Sequence, residues 1–372
     1  MPLGRVKVTV VALAVLGLGV AACADVLGID DRSLDPLAGG GGGGDGGAGG
    51  DGGGSCAYPC AMAMGLNHPF SMTVDETNVY WTEYGDPTDD NGSIKSCPVT
   101  GCGAGPTVYA LLQAAPRGIA VDGQSVYWGT AAGQVGTGAI WSCAIGGCGG
   151  KPTKVATADT PFGVAVDATS VYWAEFYDET VNRAPKGGGS AALVWDGGTG
   201  PGTPNGAQEL VIDTGFVYIN DQNDDVFRVA IGGGSLVPMY TDPSGPVVGV
   251  FGLAVDSKDV YIGSLGGIFQ MSKSATSGAS TLAPDVTDVV DLKVDPAGGT
   301  VYWADFGSVG TDGTVGMVPL DGGAALPLQQ QLVTPEAVAV NSTSVFWVSN
   351  GTLMSDGVTV TSGTGTLYRT AK

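Results

Sequence analysis

The stretch PRGIAVDGQSVYW at residues 116–128 contains one of seven variants of a single phrase that recurs through the chain. The copies occupy residues 71–81, 118–128, 163–173, 209–219, 252–262, 291–303 and 337–347. Successive copies lie 39 to 47 residues apart, measured between the residues that end their AVD-like halves. A repeat of this length with strand-like patterning is typical of propeller blades. The sequence therefore predicts a circular array of seven similar units.

Each unit carries the pattern of four short strands separated by glycine-rich turns, which favours all-β closure. The innermost strand holds small residues such as Ala120 and Ala165, as crowding around a central axis requires. The last unit ends one strand short, and residues 61–66 supply a candidate fourth strand that would pair with residues 365–369. We predict an all-β, seven-bladed β-propeller over residues 56–372, with four strands in each blade and closure by this N-terminal strand.

The repeat ends its first half on a carboxylate in six copies and on Asn341 in the seventh. This position falls at the tight turn between the first two strands, where Asp and Asn side chains cap backbone amides. A ring of seven catalytic carboxylates is the alternative, and Asn341 would break it. We therefore predict a structural role for Asp75, Asp122, Asp167, Asp213, Asp256, Asp295 and Asn341.

Residues 1–22 have the features of a signal peptide: Arg5 and Lys7 precede an apolar stretch too short to span a bilayer comfortably. The sequence VAAC at residues 20–23 resembles the lipobox of bacterial lipoproteins, which implies cleavage before Cys23 and lipidation of that residue. An ordinary secretory signal or an N-terminal anchor helix is the alternative. Residues 23–55 predict a flexible lipid-anchored tether, because residues 39–54 include 13 glycines.

The chain is strongly acidic. Its net charge is −21, and it becomes −23 without Arg5 and Lys7. Such a charge repels nucleic acid and anionic headgroups, so membrane attachment would depend on the N-terminal lipid. We expect a monomer that binds no nucleic acid.

The six cysteines after Cys23 fall into three close pairs, which in an exported protein indicates disulfides. Zinc ligation is the alternative, but it needs four converging ligands and His68 is the only histidine. The predicted pairs are Cys56–Cys60, Cys97–Cys102 and Cys143–Cys148.

The loops after the second strands combine carboxylates with aromatic side chains, and in a propeller these loops share one face. The opposite face carries Lys151, Lys186 and Lys273, so we predict a field that draws cationic ligands to the acidic face. Loops that are acidic only because the whole chain is acidic are the alternative. The candidate ligand-binding residues in these loops are Tyr84, Asp86, Asp89, Asp90, Phe176, Tyr177, Asp178 and Asp225, accompanied by Glu83, Glu175 and Asp305.

A second set of candidates surrounds the predicted channel mouth, five positions before each repeated Asp or Asn. It comprises Phe70, Arg117, Phe162, Gln208, Phe251, Val290 and Glu336, of which Arg117 and Glu336 are candidate ligand contacts. Lys293 breaks the small-residue rule of the innermost strand and needs a carboxylate partner. The carboxylate that pairs with Lys293 could be Asp291, Glu209 or Glu336. The pair could be an ion-paired plug of the channel, or it could be part of a substrate-binding cluster.

Metal and catalytic signatures are weak. Asp221, Asn223 and Asp225 match part of a calcium loop, but the later Gly and Glu are absent, so we predict at most a weak calcium site and no other cofactor. The chain has no G-x-S-x-G or H-E-x-x-H motif and no second histidine. We therefore expect no enzymatic activity.

The sequence VYWTE at residues 79–83 and the P-x-G-I-A-V-D pattern at residues 116–122 resemble the YWTD repeats of lipoprotein-receptor propellers and bacterial NHL-type repeats. With the Cys23 motif and the tether, the whole chain is similar to surface lipoproteins of Gram-negative bacteria. This resemblance implies a lipid-anchored protein of the outer membrane or cell surface, since Ala24 follows Cys23. The receptor propellers have six blades, so their ligand sites cannot be carried over by position.

These features together predict an extracytoplasmic binding module for an unknown protein, sugar or cationic ligand. A metal-dependent, lactonase-like propeller hydrolase or lyase is one alternative. A purely structural envelope component is the other.

Overall fold

The computed structural model describes residues 59–86, 90–131, 137–196, 206–240, 247, 249–275, 278–308, 310–353 and 360–372. The predictions for the signal peptide, the tether, Cys23, Cys56 and Asp89 lie outside the described residues. Within the described part of the chain, no helix is long and apolar enough to cross a membrane.

The described chain forms 28 strands in seven four-stranded antiparallel sheets, as predicted. The first strand, β1 (Cys60–Leu66), belongs to the last blade. Blade 1 comprises β2 (Pro69–Val74), β3 (Asn78–Glu83), β4 (Gly92–Pro98) and β5 (Thr107–Gln113). Blade 2 comprises β6 (Pro116–Val121), β7 (Ser125–Thr130), β8 (Ala139–Ala144) and β9 (Thr153–Thr157). Blade 3 comprises β10 (Pro161–Val166), β11 (Ser170–Glu175), β12 (Thr180–Pro185) and β13 (Ala192–Trp195).

The later blades repeat this order from the innermost strand outward. Blade 4 comprises β14 (Leu210–Ile212), β15 (Phe216–Asn220), β16 (Val226–Ala230) and β17 (Val237–Tyr240). Blade 5 comprises β18 (Val250–Val255), β19 (Asp259–Ser264), β20 (Gly267–Ser272) and β21 (Ser280–Ala283). Blade 6 comprises β22 (Val289–Asp295), β23 (Thr300–Asp305), β24 (Gly313–Pro319) and β25 (Leu326–Leu332). Blade 7 comprises β26 (Pro335–Val340), β27 (Ser344–Ser349), β28 (Gly365–Ala371) and β1.

The ring closes where the two ends of the chain meet in blade 7. Strand β1 pairs antiparallel with β28, with Cys60 opposite Arg369 and Leu66 opposite Gly365. The innermost strand β26 contacts β2 of blade 1 on one side and β22 of blade 6 on the other. The predicted closure by residues 61–66 is thus confirmed.

The Val-Tyr-Trp motif of the second strand explains how the blades stack. Side chains alternate across a strand, so Val79 and Trp81 lie on one face of β3 and Tyr80 lies on the other. Val79 and Trp81 pack in a core cluster with side chains of blade 7, whereas Tyr80 packs with blade 2. All three are fully buried. Seven such clusters form the core, one for each contact between neighbouring blades.

Glycines of the innermost strands mark how closely those strands approach each other. A Cβ on Gly118 would lie 2.3 Å from the carbonyl oxygen of Phe162 in the next blade. A Cβ on Gly163 would lie 2.6 Å from the backbone nitrogen of Leu210. No larger residue fits at these positions, because the obstructing atoms are backbone.

The repeated Asp caps the first turn of each blade, as predicted. In blade 3, Asp167 Oδ1 accepts hydrogen bonds from the backbone N–H groups of Thr169 and Ser170, each at 2.7 Å, and Oδ2 accepts from the Tyr172 hydroxyl at 2.8 Å. Asn341 makes the equivalent backbone contacts in blade 7 through Oδ1. The same Asp-to-Tyr contact joins Asp75 to Tyr80, Asp122 to Tyr127, Asp213 to Tyr218 and Asp256 to Tyr261.

Two of the predicted disulfides are present, and they exclude the zinc alternative for their cysteines. Cys97 is bonded to Cys102 with a Cα separation of 4.9 Å, and Cys143 is bonded to Cys148 with a Cα separation of 5.5 Å. Cys60 is also disulfide-bonded. Its predicted partner, Cys56, is outside the described residues.

Candidate functional site

Two residues of each blade occupy equivalent positions at one end of the central channel, which we call the mouth. The inner residue lies five positions before the repeated Asp or Asn, and the outer residue directly follows the second strand. In blade 3 these are Phe162 and Phe176, whose ring centroids are 5.2 Å apart. In blade 7 they are Glu336 and Asn350, which share a hydrogen bond. The full set of outer residues is Tyr84, Ala131, Phe176, Asp221, Leu265, Phe306 and Asn350.

Blades 1 to 3 bring an arginine together with five aromatic rings. The Arg117 guanidinium carbon lies 3.9 Å from the Phe162 ring centroid and 5.7 Å from that of Tyr84. At these distances a cation is attracted to the face of an aromatic ring. We call this group the aromatic–arginine cluster, and it comprises Phe70, Tyr84, Arg117, Phe162, Phe176 and Tyr177.

Arg117 is the buried centre of this cluster, with 5% of its surface exposed. Burial lowers the pKa of Arg117, while the hydrogen-bonded Tyr84 hydroxyl acts in the opposite direction. The rings are more accessible, since Phe70, Tyr84 and Phe162 are half-buried and Tyr177 is exposed. The cluster therefore offers aromatic contact area around a fixed positive charge.

A charged group lies deeper in the channel, on blades 4 and 6. The Lys293 ammonium donates to Asp291 Oδ1 at 2.5 Å, so the predicted ion pair is confirmed. Asp291 Oδ2 also accepts from the backbone N–H of Val338 in blade 7, at 2.9 Å. Burial raises the pKa of Glu209 to about 7, with Lys293 acting against this shift and Asp291 adding to it. Lys293 therefore has Asp291 as its carboxylate partner, and both charges influence the pKa of Glu209.

Glu336, one of the three carboxylates considered as a partner of Lys293, does not pair with it. Its Oε1 accepts a hydrogen bond of 2.6 Å from the amide nitrogen of Asn350, and its pKa shows no influence of Lys293. Burial raises the pKa of Glu336 to about 8, although the Asn350 hydrogen bond opposes the shift. Because this pKa lies above 7, the neutral form of the half-buried side chain dominates at neutral pH.

Part of the predicted acidic face is structural. Glu83 and Glu175 are 3% and 4% exposed, and each accepts a hydrogen bond from the indole of its own blade, Trp81 or Trp173. Glu175 also accepts backbone hydrogen bonds from Asp159 and Thr160, which hold the connection between blades 2 and 3. These carboxylates tie strands together and are not available to a ligand. The expectation that they contribute to a free acidic surface is wrong.

Asp305, also expected on this face, is 8% exposed and accepts backbone hydrogen bonds from Gly307 and Thr314, whereas four other predicted carboxylates lie nearer to solvent. Asp90 and Asp178 are exposed, whereas Asp86 and Asp225 are half-buried. Asp86 accepts a hydrogen bond from Asn91 at 2.7 Å. Burial raises the pKa of Asp225 to about 6, with further contributions from Asp221 and Asp224. These four positions belong to the same loops as Tyr84, Phe176 and Asp221, so they flank the mouth.

The candidate calcium loop is closed by its own hydrogen bonds. Asp221 is 1% exposed, and its Oδ1 accepts from the backbone N–H groups of Asn223 at 2.9 Å and Asp225 at 3.0 Å. Within the described ranges, no group of three or more His, Cys, Asp or Glu side chains is placed to hold a metal ion. We therefore propose no calcium at Asp221, Asn223 and Asp225.

On the opposite face, two of the three predicted lysines are paired with capping carboxylates, whereas Lys151 is exposed. Lys186 pairs with Asp122 of the preceding blade at 2.7 Å, and Lys273 pairs with Asp213 at 2.6 Å. These pairs border two open clefts between blades, of about 410 and 500 Å³. Each cleft is lined by side chains that already bond across blades. These ion pairs hold neighbouring blades together, so we do not assign ligand recognition to the clefts.

Sequence reasoning overlooked Asn350. The signal was available, because Asn350 directly follows the second strand of blade 7, where blades 1, 3 and 6 have Tyr84, Phe176 and Phe306. Asn350 is the one amide at this position, which holds Ala131, Asp221 and Leu265 in blades 2, 4 and 5. Phe70 and Phe162, recognised in the ring around the axis, also prove to contact the loop aromatics.

Comparison with known proteins shows the fold. No protein-family model matches this chain, and no curated protein does. The WD40 β-propeller domain of Doa1 is 13% identical with a TM-score of 0.61, covering 85% of this chain and 96% of that one. The computationally designed Ika8 protein is 14% identical with a TM-score of 0.54, covering 85% and 99%.

A chain of a nidogen/laminin complex is 17% identical over 63% of this chain and 88% of that one, with a TM-score of 0.49. That score is too low to support an argument. At these identities the likenesses establish a β-propeller and leave its ligand to be inferred from the site.

Proposed function

We propose that this chain is a membrane-tethered extracytoplasmic lipoprotein whose propeller binds a ligand at the mouth without transforming it. The proposed anchor is a lipid on Cys23, followed by the glycine-rich tether, at the outer membrane or cell surface. A Cys23→Ser variant should accumulate in a soluble or unprocessed form. Membrane fractionation and intact mass unchanged by the substitution would contradict the anchor.

The observation that supports a binding role is the composition of the mouth. Small-molecule sites are concave and mostly apolar, with a few polar groups that orient the ligand. Here Phe251, Leu265, Val290 and Phe306 continue the apolar lining begun by the aromatic–arginine cluster. Its polar points are few, namely Arg117, Gln208, Asp221 and the Glu336–Asn350 pair.

A thermal-shift screen of sugars, amines and amino acids, followed by co-crystallisation of each compound that stabilises the protein, tests this proposal. We expect such compounds to lie at the mouth. Stabilisation should be lost in a Tyr84→Ala, Phe162→Ala variant that retains its propeller fold. It should persist in a control with Asp321→Asn, an exposed residue in a turn of blade 6. Compounds that occupy only the clefts near Lys186 and Lys273 would overturn the assignment.

Charge at the rim adds a second test of the same site. Replacing Asp86, Asp90, Asp178 and Asp225 together by Asn should reduce the affinity for a cationic compound and should lower the salt dependence of its binding. The melting temperature should change little, because two of the four side chains are exposed. Binding that survives this substitution unchanged would show that the acidic rim is incidental.

A propeller hydrolase or lyase is the second candidate, and one observation favours it. General acid–base catalysis works best with groups whose pKa is near the working pH, and Glu209 and Glu336 have this property. Mass spectrometry of compounds incubated with the protein would reveal turnover. Turnover that is abolished by Glu336→Gln would replace the binding proposal by an enzymatic one.

A further inference from the structure

Blade 7 contains unsatisfied polar atoms beside the mouth. Asn350 is 8% exposed, its amide nitrogen donates to Glu336, and its Oδ1 has no hydrogen-bond partner among the described residues. The hydroxyl of Thr334, a residue 1% exposed, likewise has none. The backbone N–H of Asn350 donates to the Thr334 carbonyl at 3.2 Å, so these residues are neighbours. A buried polar atom without a partner costs free energy that a suitable ligand group can recover.

The neighbourhood of this pair is suited to a cation. Both atoms of the Asn350 amide belong to one small planar group, so Oδ1 lies close to the Glu336 carboxyl. On the adjacent innermost strand of blade 1, Phe70 holds the position equivalent to Glu336, and strands β2 and β26 are in contact. Carboxylate and amide oxygens accept hydrogen bonds from an ammonium group, and an aromatic face attracts its charge.

The charged groups on neighbouring strands leave this carboxyl without a cationic partner of its own. Strand β22 carries Asp291 and Lys293, which are paired with each other, and Asp295, which is paired with Lys372. Strand β23 carries Tyr302 and Asp305. Strands β2, β24 and β27 carry no titratable side chain. His68, which precedes β2, contacts Asn67 and the Val360 carbonyl.

We propose that Glu336 and Asn350 form a subsite for the primary ammonium group of an organic amine whose apolar body packs on the aromatic rings of the mouth. This inference rests on the proposed binding function of the mouth and names the ligand class. The ammonium donates one hydrogen bond to the Glu336 carboxylate and one to Asn350 Oδ1. Its remaining N–H is directed toward Thr334 Oγ1 or solvent.

Such binding must be linked to a proton. Because burial raises the pKa of Glu336 to about 8, the free protein holds this carboxyl protonated at neutral pH. The cation binds the ionised form, so binding releases a proton and affinity increases as the pH is raised toward 8. Asp305 and Glu209 titrate in the same range and are the controls for this assignment.

Benzylammonium is the probe, measured by isothermal titration calorimetry on the full propeller, with benzyl alcohol as the neutral analogue. We expect benzylammonium to bind, benzyl alcohol to bind more weakly, and Glu336→Gln to reduce the affinity for benzylammonium by about tenfold or more. Gln keeps the shape of the neutral carboxyl, so the fold should persist. The matched control Glu209→Gln should change the affinity much less, and titration in buffers of different ionisation enthalpy should show proton release that Glu336→Gln abolishes.

Three results would overturn the subsite. The first is benzylammonium binding that Glu336→Gln does not weaken. The second is binding of benzoate in place of benzylammonium, which would mean that the pair presents a hydrogen-bond donor, with the Asn350 amide reversed. The third is no binding of benzylammonium while other compounds occupy the mouth in crystals, which would refute the ammonium subsite and leave the proposed function intact. Compounds found only in the clefts of the opposite face would refute the proposed function itself.

Discussion

The capping carboxylate and the tyrosine five positions later act as one unit in the first five blades. Blade 7 changes both members together: Asn341 replaces the carboxylate, and Phe346, which has no hydroxyl, replaces the tyrosine. The Asn341 amide nitrogen instead donates to the backbone carbonyl of Asp75 in blade 1 at 3.2 Å. The repeated Asp is thus a turn cap with an added hydrogen bond to the second strand, and these contacts account for its presence in the repeat.

Removing this cap should destabilise one blade in a graded way. Asp167→Ala leaves the Thr169 and Ser170 N–H groups and the Tyr172 hydroxyl without their acceptor. We expect the free energy of unfolding to fall by about 1–2 kcal/mol, measured by denaturant titration. Asp167→Asn keeps the backbone contacts, as Asn341 does, and should cost less. Equal losses for the two variants would contradict the capping role.

A one-carbon difference leaves an indole unsatisfied in blade 6. In blades 1 and 3 a glutamate two residues after the tryptophan accepts its N–H, but in blade 6 the shorter Asp305 instead accepts from Gly307 and Thr314. Trp303 is 4% exposed, and its Nε1 has no hydrogen-bond partner within the described ranges. Asp305→Glu should supply the acceptor and stabilise the protein by about 1 kcal/mol, seen as a higher melting temperature. A lower melting temperature would show that the Gly307 and Thr314 contacts matter more.

Strand β1 is the element on which ring closure depends. Leu66 at its end is 2% exposed and packs with Leu367 and Met72, which belong to blades 7 and 1. Deleting residues 56–66 exposes the edge of β28 and opens this cluster, so we expect a markedly lower melting temperature and more aggregation. Deleting residues 24–55 alone is the control and should leave the melt of the domain unchanged. A truncated domain that melts like the intact one would refute closure by β1.

The sequence was sufficient to predict the strands, because seven copies of one pattern resolve what is ambiguous in any single copy. Seven copies of one strand pair establish the period, and the missing last strand identifies residues 61–66 by elimination. The site was harder to predict, since a loop carboxylate looks the same in sequence whether it faces solvent or its own indole. Glu83 and Glu175 were misread for this reason, whereas Asp90 and Asp178 are exposed as expected. Hydrogen-bond partners between blades, such as Lys186 with Asp122, also leave no local signal in the sequence.

The whole molecule has two kinds of acidic group with opposite effects on stability. Hydrogen bonds and Lys186 hold the pKa of Asp122 at about 2 against the effect of burial, and burial is likewise outweighed at the other capping carboxylates, Asp75, Asp167, Asp213, Asp256 and Asp295. Their stabilising contribution is present above the unfolded pKa and is lost as the pH falls toward 2. At three carboxyls of the mouth and channel burial outweighs the opposing interactions and raises the pKa, namely at Glu209, Asp305 and Glu336.

These raised values predict a protein that is most stable in mildly acidic solution. A carboxyl with a higher pKa in the folded state binds more protons there than in the unfolded chain, so the free energy of unfolding decreases as the pH rises between the two values. For Glu336 this interval runs from the ordinary glutamate pKa of 4.5 to about 8. Denaturant titrations from about pH 5 to about pH 9 should therefore show declining stability. Glu336→Gln cannot ionise and should flatten the decline, while Asp321→Asn should leave it unchanged. Stability that increases over this interval, or a slope unaffected by Glu336→Gln, would mean that this carboxyl is already ionised in the native state.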